Sequence, residues 1–127
     1  MSEIDPEDPG EAAEAEDTVL ARRLVDEPAW QWMPGMRTLG GDRLVEGRMA
    51  ATDALPDLGD WPTVGALLGI IAGYRAFTDL IHGPEGWIVA VEIDGDVTGY
   101  AADTPGEAAA WALLAVLENL SGEIGIA

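Results

Sequence analysis

Residues 87–93, Trp-Ile-Val-Ala-Val-Glu-Ile, constrain the fold more than any other stretch of this chain. The run is rich in β-branched and aromatic side chains, which suit a pleated strand. In an extended backbone Trp87, Val89, Val91 and Ile93 point to one face, and Ile88 and Ala90 to the other. Both faces are apolar until Glu92, so helices are expected to cover the strand on both sides. Asp94-Gly95-Asp96 reads as a hairpin turn and Val97 to Ala102 as the return strand. Thr104-Pro105-Gly106-Glu107 opens a helix. Thr104 is a cap, Glu107 completes a capping box, and Pro105 occupies the first helical position. Ala110, Leu113, Leu114, Leu117 and Leu120 form the stripe of that helix, and Gly122 is expected to stop it.

The same reasoning runs back along the chain. Ser2 to Glu16 is acidic and holds one large apolar residue, Ile4. Such a segment gains too little from burial to offset its ordering entropy, so residues 1–16 are expected to be a disordered tail. A short helix from about Asp17 carries Leu20 and Leu24 and ends before Pro28. Trp30-Gln31-Trp32 reads as extended. Residues 36–46 read as a hairpin about Gly40-Gly41-Asp42, and 47–59 as a loop.

Asp60 is placed as an N-cap with Pro62 in the first turn. Val64, Leu67, Leu68, Ile71 and Tyr74 then recur at helical spacing. Gly65, Gly69 and Gly73 lie on one side of this helix, at a cost of roughly 1 kcal/mol each against Ala. The expected compensation is close approach of another backbone, either the domain's own sheet or a second copy. Phe77 to Ile81 reads as a strand and Gly83-Pro84 as a turn. The sum is one α+β domain over residues 17–122, followed by a tail at 123–127. It contains an antiparallel sheet of four or five strands with helices packed on both faces.

Three stretches resemble the phage ABA sandwich family, small domains of phage and prophage proteins. They are Trp30-Gln31-Trp32 after an N-terminal helix, Leu55-Pro56-Asp57-Leu58-Gly59-Asp60 leading into a helix, and Gly86-Trp87 with two strands and Ala102-Asp103-Thr104-Pro105. The likeness covers roughly residues 17–120. It implies a sheet with helices on both faces and carries no catalytic residues over.

Charge and composition restrict the function classes. The 127 residues carry a formal charge of −18 and contain no Cys and no Lys. Eight acids without a base fall in residues 1–17, and eleven acids against Arg75 alone fall in 56–127. Direct binding to nucleic acid or to an anionic membrane is therefore not expected, whereas a protein partner from host or phage is compatible. Without Cys there is neither a disulfide nor a thiolate metal site. The longest apolar run, Val64 to Tyr74, is shorter than the roughly 20 residues that span a bilayer. The N-terminus lacks the basic and apolar regions of a signal peptide, and a cytoplasmic protein is expected.

Candidate chemistry is thin. His82 stands before a Gly-Pro turn with no partner nearby in sequence, and Ser2 and Ser121 are the only serines, so no triad assembles. Asp94-Gly95-Asp96 lacks the further ligands of a calcium loop, and Gly40-Gly41-Asp42-Arg43 lacks the Lys-Ser/Thr of a phosphate loop. No enzyme, no cofactor and no metal site are expected. Among the five Trp residues, Trp87 and Trp111 are assigned to the core, and Trp61 either packs or protrudes. Trp30, Trp32, Met33 and Met36 form core if buried and an interaction surface if exposed.

The expected function is that of a non-enzymatic accessory protein of phage or prophage working through protein contacts. Its contact patch is placed at Trp30, Trp32, Met33 and Met36, and its state is a monomer or weak homodimer. The alternative is an acidic decoy whose carboxylates imitate phosphates at the nucleic-acid site of a host nuclease or defence complex. Its candidates are Asp57, Asp60, Asp94, Asp96 and Asp103.

Overall fold

A computed structural model describes residues 16–46, 50, 53–84 and 86–126. The elements run α1 (Glu16–Val25), α2 (Trp61–Gly73), β1 (Phe77–Gly83), β2 (Gly86–Ile93), β3 (Asp96–Ala102) and α3 (Pro105–Ile126). The expected acidic tail lies outside the described residues except for Glu16, which begins α1.

The β2–β3 hairpin forms as its local signals dictate. Asp94 and Gly95 both have positive φ, 54° and 88°, which is the backbone of a two-residue turn matched to strand twist. The strands pair in continuous antiparallel register from Ile93↔Asp96 to Trp87↔Ala102. β1 lies on the other side of β2, with its register broken between Phe77 and Asp79. The sheet order is β1-β2-β3.

The sheet has three strands among the described residues rather than four or five. The hairpin expected at 36–46 closes with a single bridge, Arg37↔Arg43, while Thr38 bridges to Pro56. This stretch lacks the run of alternating apolar residues that would hold it against a larger sheet, and its arginines bind carboxylates instead.

α3 is the centre of the domain. It packs on β2 and β3 on one side and on α1 and α2 on others. Ala108, Ala109, Ala110, Ala112, Leu113 and Leu117 have no exposed surface. A helix apolar nearly all round requires such enclosure. Its start is capped as expected, with the Glu107 N–H donating to Thr104 Oγ1 at 3.2 Å. It continues through Gly122 to Ile126, so the stop expected at Gly122 is not used.

The face of the sheet carrying Val89 and Val91 is sealed, and both residues are fully buried. The opposite face is more open. Ile88 and Ala90 are half-buried, and Ile81, Gly99 and Ala101 are exposed. Val97, at the end of that face, is 60% exposed. The α+β class and antiparallel sheet agree with expectation, but the described helices do not supply a cover for this face.

Trp111 departs from its core assignment. It is 39% exposed on α3, with the Arg23 guanidinium 5.4 Å from its ring centroid. Arg23 also pairs with Glu118 at 3.3 Å, so α1 is tied to α3 by a surface strap over an aromatic ring.

Candidate functional site

The Trp-Met stretch follows α1 without regular secondary structure and ends in a turn, where the Met36 N–H donates to the Met33 carbonyl at 3.2 Å. Trp30 and Trp32 meet edge to face at 5.4 Å. Met36 is fully buried, and its sulfur accepts from the Met33 N–H at 3.4 Å. Trp30, Trp32 and Met33 are half-buried against the core. Trp30 and Trp32 meet each other and Met33 meets Met36, but Met36 offers no surface to a partner. Trp30 Nε1 is buried without a hydrogen-bond partner among the described residues.

Met33 leads to the second feature. A depression of about 270 Å³ is lined by Gln31, Met33, Gly69, Ile70, Gly73 and Tyr74. It joins the Trp-Met stretch to the glycine side of α2. Among the described residues, no backbone outside the helix closely approaches those glycines. Gly65, Gly69 and Gly73 are exposed, and a Cβ added at any of them would meet nothing within 4 Å.

α2 contains no charged residue. Thr63, Val64, Leu67, Ile70 and Ile71 face inward and are buried. The side left open carries Trp61, Pro62, Gly65, Gly69, Ala72 and Gly73. Trp61 is 60% exposed and meets Trp87 edge to face at 5.9 Å, while His82 stacks on Trp87 at 4.2 Å. His82 is therefore an exposed ring on an aromatic cluster. In a chain with so many carboxylates, an uncharged helix side is the outlying surface.

The start of α2 is held by a polar network of which local spacing announces only the Asp60 cap. Asp60 caps the helix, accepting from the Thr63 N–H at 3.1 Å and from Thr63 Oγ1 at 2.8 Å. The Arg43 guanidinium donates to both Asp60 oxygens, at 2.7 and 3.0 Å, and to the Gly35 carbonyl at 2.9 Å. Arg37 donates to Asp57 at 2.6 Å, and its N–H donates to Thr63 Oγ1. The bidentate bond from Arg43, assisted by the Thr63 bonds, holds the Asp60 carboxyl at about 2 despite the opposing effect of burial. The same hydrogen bond raises Arg43. These pairs join residues 20 and 17 positions apart in sequence, beyond the reach of helix or turn signals.

The network changes the account of the acidic candidates. Asp57 and Asp60 are committed to arginines and are not free to imitate phosphate. Asp94 lies in the hairpin turn and Asp96 directly after it, at one end of β3, and Asp103 follows its other end; all three are exposed. Six residues of strand, 97–102, separate Asp96 from Asp103, a span of roughly 20 Å at strand rise, so the five do not assemble into one surface. The described residues contain no cluster of three or more His, Cys, Asp or Glu side chains able to hold a metal ion. No helix among them is long and apolar enough to cross a membrane.

Comparison with protein-family models, with curated proteins and with solved structures gives no match.

Proposed function

We propose that this chain is a small phage- or prophage-encoded accessory protein that works in the host cytoplasm by protein contact. Its contact surface is the open side of α2, extended across the shallow depression to Met33, Trp32 and Trp30. The observation that carries this reading is an exposed helix side without a single charge in a chain of −18. An apolar side of this kind gains by being covered, and its glycines permit a partner's backbone to approach closely. The exposed Trp61 ring supplies an anchor of the residue type that dominates protein interfaces. The likeness to the phage ABA sandwich family further assigns a helical layer to the outer sheet face of Ile81, Ile88, Ala90 and Ala101, and the apolar character of those residues supports it.

The test is affinity capture from host-cell lysate in low and high salt, comparing the natural chain with Gly69→Arg. Gly69 is exposed and has open space above it, so the substitution leaves the core alone. A partner held through an apolar surface persists in high salt and is lost with Gly69→Arg. Capture that vanishes in high salt and ignores Gly69→Arg would overturn the reading in favour of the acidic decoy. Capture of nothing at either salt would remove both.

A further inference from the structure

The register of the sheet shows what its open outer face presents. Ile81 pairs with Ile88 and Asp79 with Ala90 across β1 and β2. Ile88 pairs with Ala101, Ala90 with Gly99 and Glu92 with Val97 across β2 and β3. Paired residues share a face, so all of these lie on one surface. Ile81 and Val97 are 44% and 60% exposed, and Asp79, Glu92, Gly99 and Ala101 are exposed too.

This surface has two halves. Over β3 and the first part of β2 it is uncharged and low, because Ala90, Gly99 and Ala101 raise no long side chain. A Cβ at Gly99 would lie 3.0 Å from Ile88 Cγ2, so Ile88 leans across that position and fills it with apolar surface. Toward β1 and the end of β2 the surface is acidic, with Asp79 and Glu92. Asp79 accepts from the Leu80 N–H at 2.9 Å, and no described arginine pairs with it or with Glu92. The three strands contain no Lys or Arg. Their one histidine, His82, pairs with Trp87 and belongs to the inner side.

We propose that this face docks a basic amphipathic helix of a partner protein. The helix lies along β2 and β3 with its apolar stripe on Ile88, Ala101 and Val97, and its lysines or arginines face Asp79 and Glu92. A helix sets a charged flank directly beside an apolar stripe, which is the division this face shows. The small residues at 90 and 99 let it come close to the sheet. The eight residues of β2 span about 26 Å at strand rise, the length of about 17 helical residues.

Both halves of the surface restrict the occupant. The apolar half gains by being covered. Covering Asp79 and Glu92 with uncharged surface would remove their water without return, so the same occupant must carry cations. No described helix of a second copy meets both conditions. α2 contains no charged residue and α3 no basic one. α1 carries Arg22 and Arg23 side by side, but Arg23 is held by Glu118, and Leu20, Ala21 and Leu24 are already buried in the core. The charge of −18 opposes a second copy and attracts a basic partner.

Peptides of about 17 residues test this against the full chain. One is a helical Leu/Lys sequence with a single apolar stripe; the controls are its Leu/Glu counterpart and a scrambled Leu/Lys sequence. Calorimetry measures binding and amide chemical shifts locate it, in about 150 mM NaCl, where the screening length is about 8 Å. The striped Leu/Lys peptide should bind at least about tenfold tighter than either control, with shifts at 79–81, 88–92 and 97–101. Asp79→Asn with Glu92→Gln should weaken it at least about tenfold, and so should Ala101→Arg, with the circular dichroism spectrum unchanged. Asp26→Asn with Asp42→Asn removes the same charge from exposed positions outside the sheet and should change binding less than about twofold. Gly69→Arg should leave it intact, which separates this site from the contact surface on α2. Equal losses in the two double variants would mean attraction by net charge alone and overturn the proposal. So would a control peptide that binds as tightly, shifts centred on α2, or no binding of the striped peptide.

Discussion

Gly69 and Gly106 both sit in helices, and their surroundings give them opposite roles. Gly69 looks onto open space, so Gly69→Ala should stabilise the chain by about 1 kcal/mol through helix propensity. Gly106 lies in the first turn of α3 against the Leu58 backbone, and a Cβ there would overlap the Leu58 carbonyl. Gly106→Ala must move that loop and should cost about 1–3 kcal/mol, as overpacking does. Urea unfolding of the two variants checks both signs, and equal effects would contradict the placement of Leu58. Asp60 gives a second prediction at this scale. Its carboxyl is held near 2, below the ordinary 3.8, so it contributes stability that is present above about pH 4 and lost as pH falls toward 2. Asp60→Asn keeps a capping oxygen but loses the charge. Thermal melts between pH 6 and pH 2 should therefore show a shallower acid decline in Asp60→Asn than in the natural chain. Identical slopes would mean that the Arg43 pair contributes nothing.

At the scale of elements, α3 and α2 pose contrasting cases of an apolar helix. α3 is enclosed by sheet and helices, and its alanines let β2, α1 and α2 approach. Leu113, fully buried, should cost about 2–5 kcal/mol when cut to Ala. Trp111→Ala should cost clearly less, because that ring is 39% exposed beneath Arg23. Chemical denaturation of the two variants measures the difference. α2 has the same apolar composition but is enclosed on one side only. Its buried side was legible from the spacing of Val64, Leu67 and Ile71, and its N-cap from Asp60 ahead of Trp61-Pro62. Its open side was not, because Gly65, Gly69 and Gly73 signal that a neighbour can come close without saying that one does. The strand at Phe77 was legible too, and so was the reversal at 36–46, whose arms pair through the Arg37↔Arg43 bridge and the bond from the Leu44 N–H to the Met36 carbonyl; that this short hairpin stays outside the three-stranded sheet was not.

Over the whole molecule, charge and apolar surface are divided between regions. Five arginines fall in residues 18–55, and the described pairs place Arg23, Arg37 and Arg43 against Glu118, Asp57 and Asp60. Arginines of the N-terminal half thus tie that half to α3 and to the start of α2. The carboxylates left exposed about β3 cluster at its ends, and the uncharged open side of α2 is where association is least opposed. Of the candidate contact residues, the proximity of Trp30, Trp32, Met33 and Met36 was legible because they are adjacent in sequence. Which of them reach the surface was not.

The sequence by itself determined the β2–β3 hairpin with its Asp94-Gly95 turn, the capped starts of α2 and α3, and the absence of cysteine chemistry. These depend on contacts within a few residues, where backbone preference and side-chain capping act directly. Only the tertiary structure decided that Met36 is sealed while Trp61 protrudes, that Arg37 and Arg43 neutralise Asp57 and Asp60, and that the glycines of α2 face open space. Those outcomes depend on which distant segments meet, and an apolar or charged side chain carries the same local signal whether or not its partner arrives.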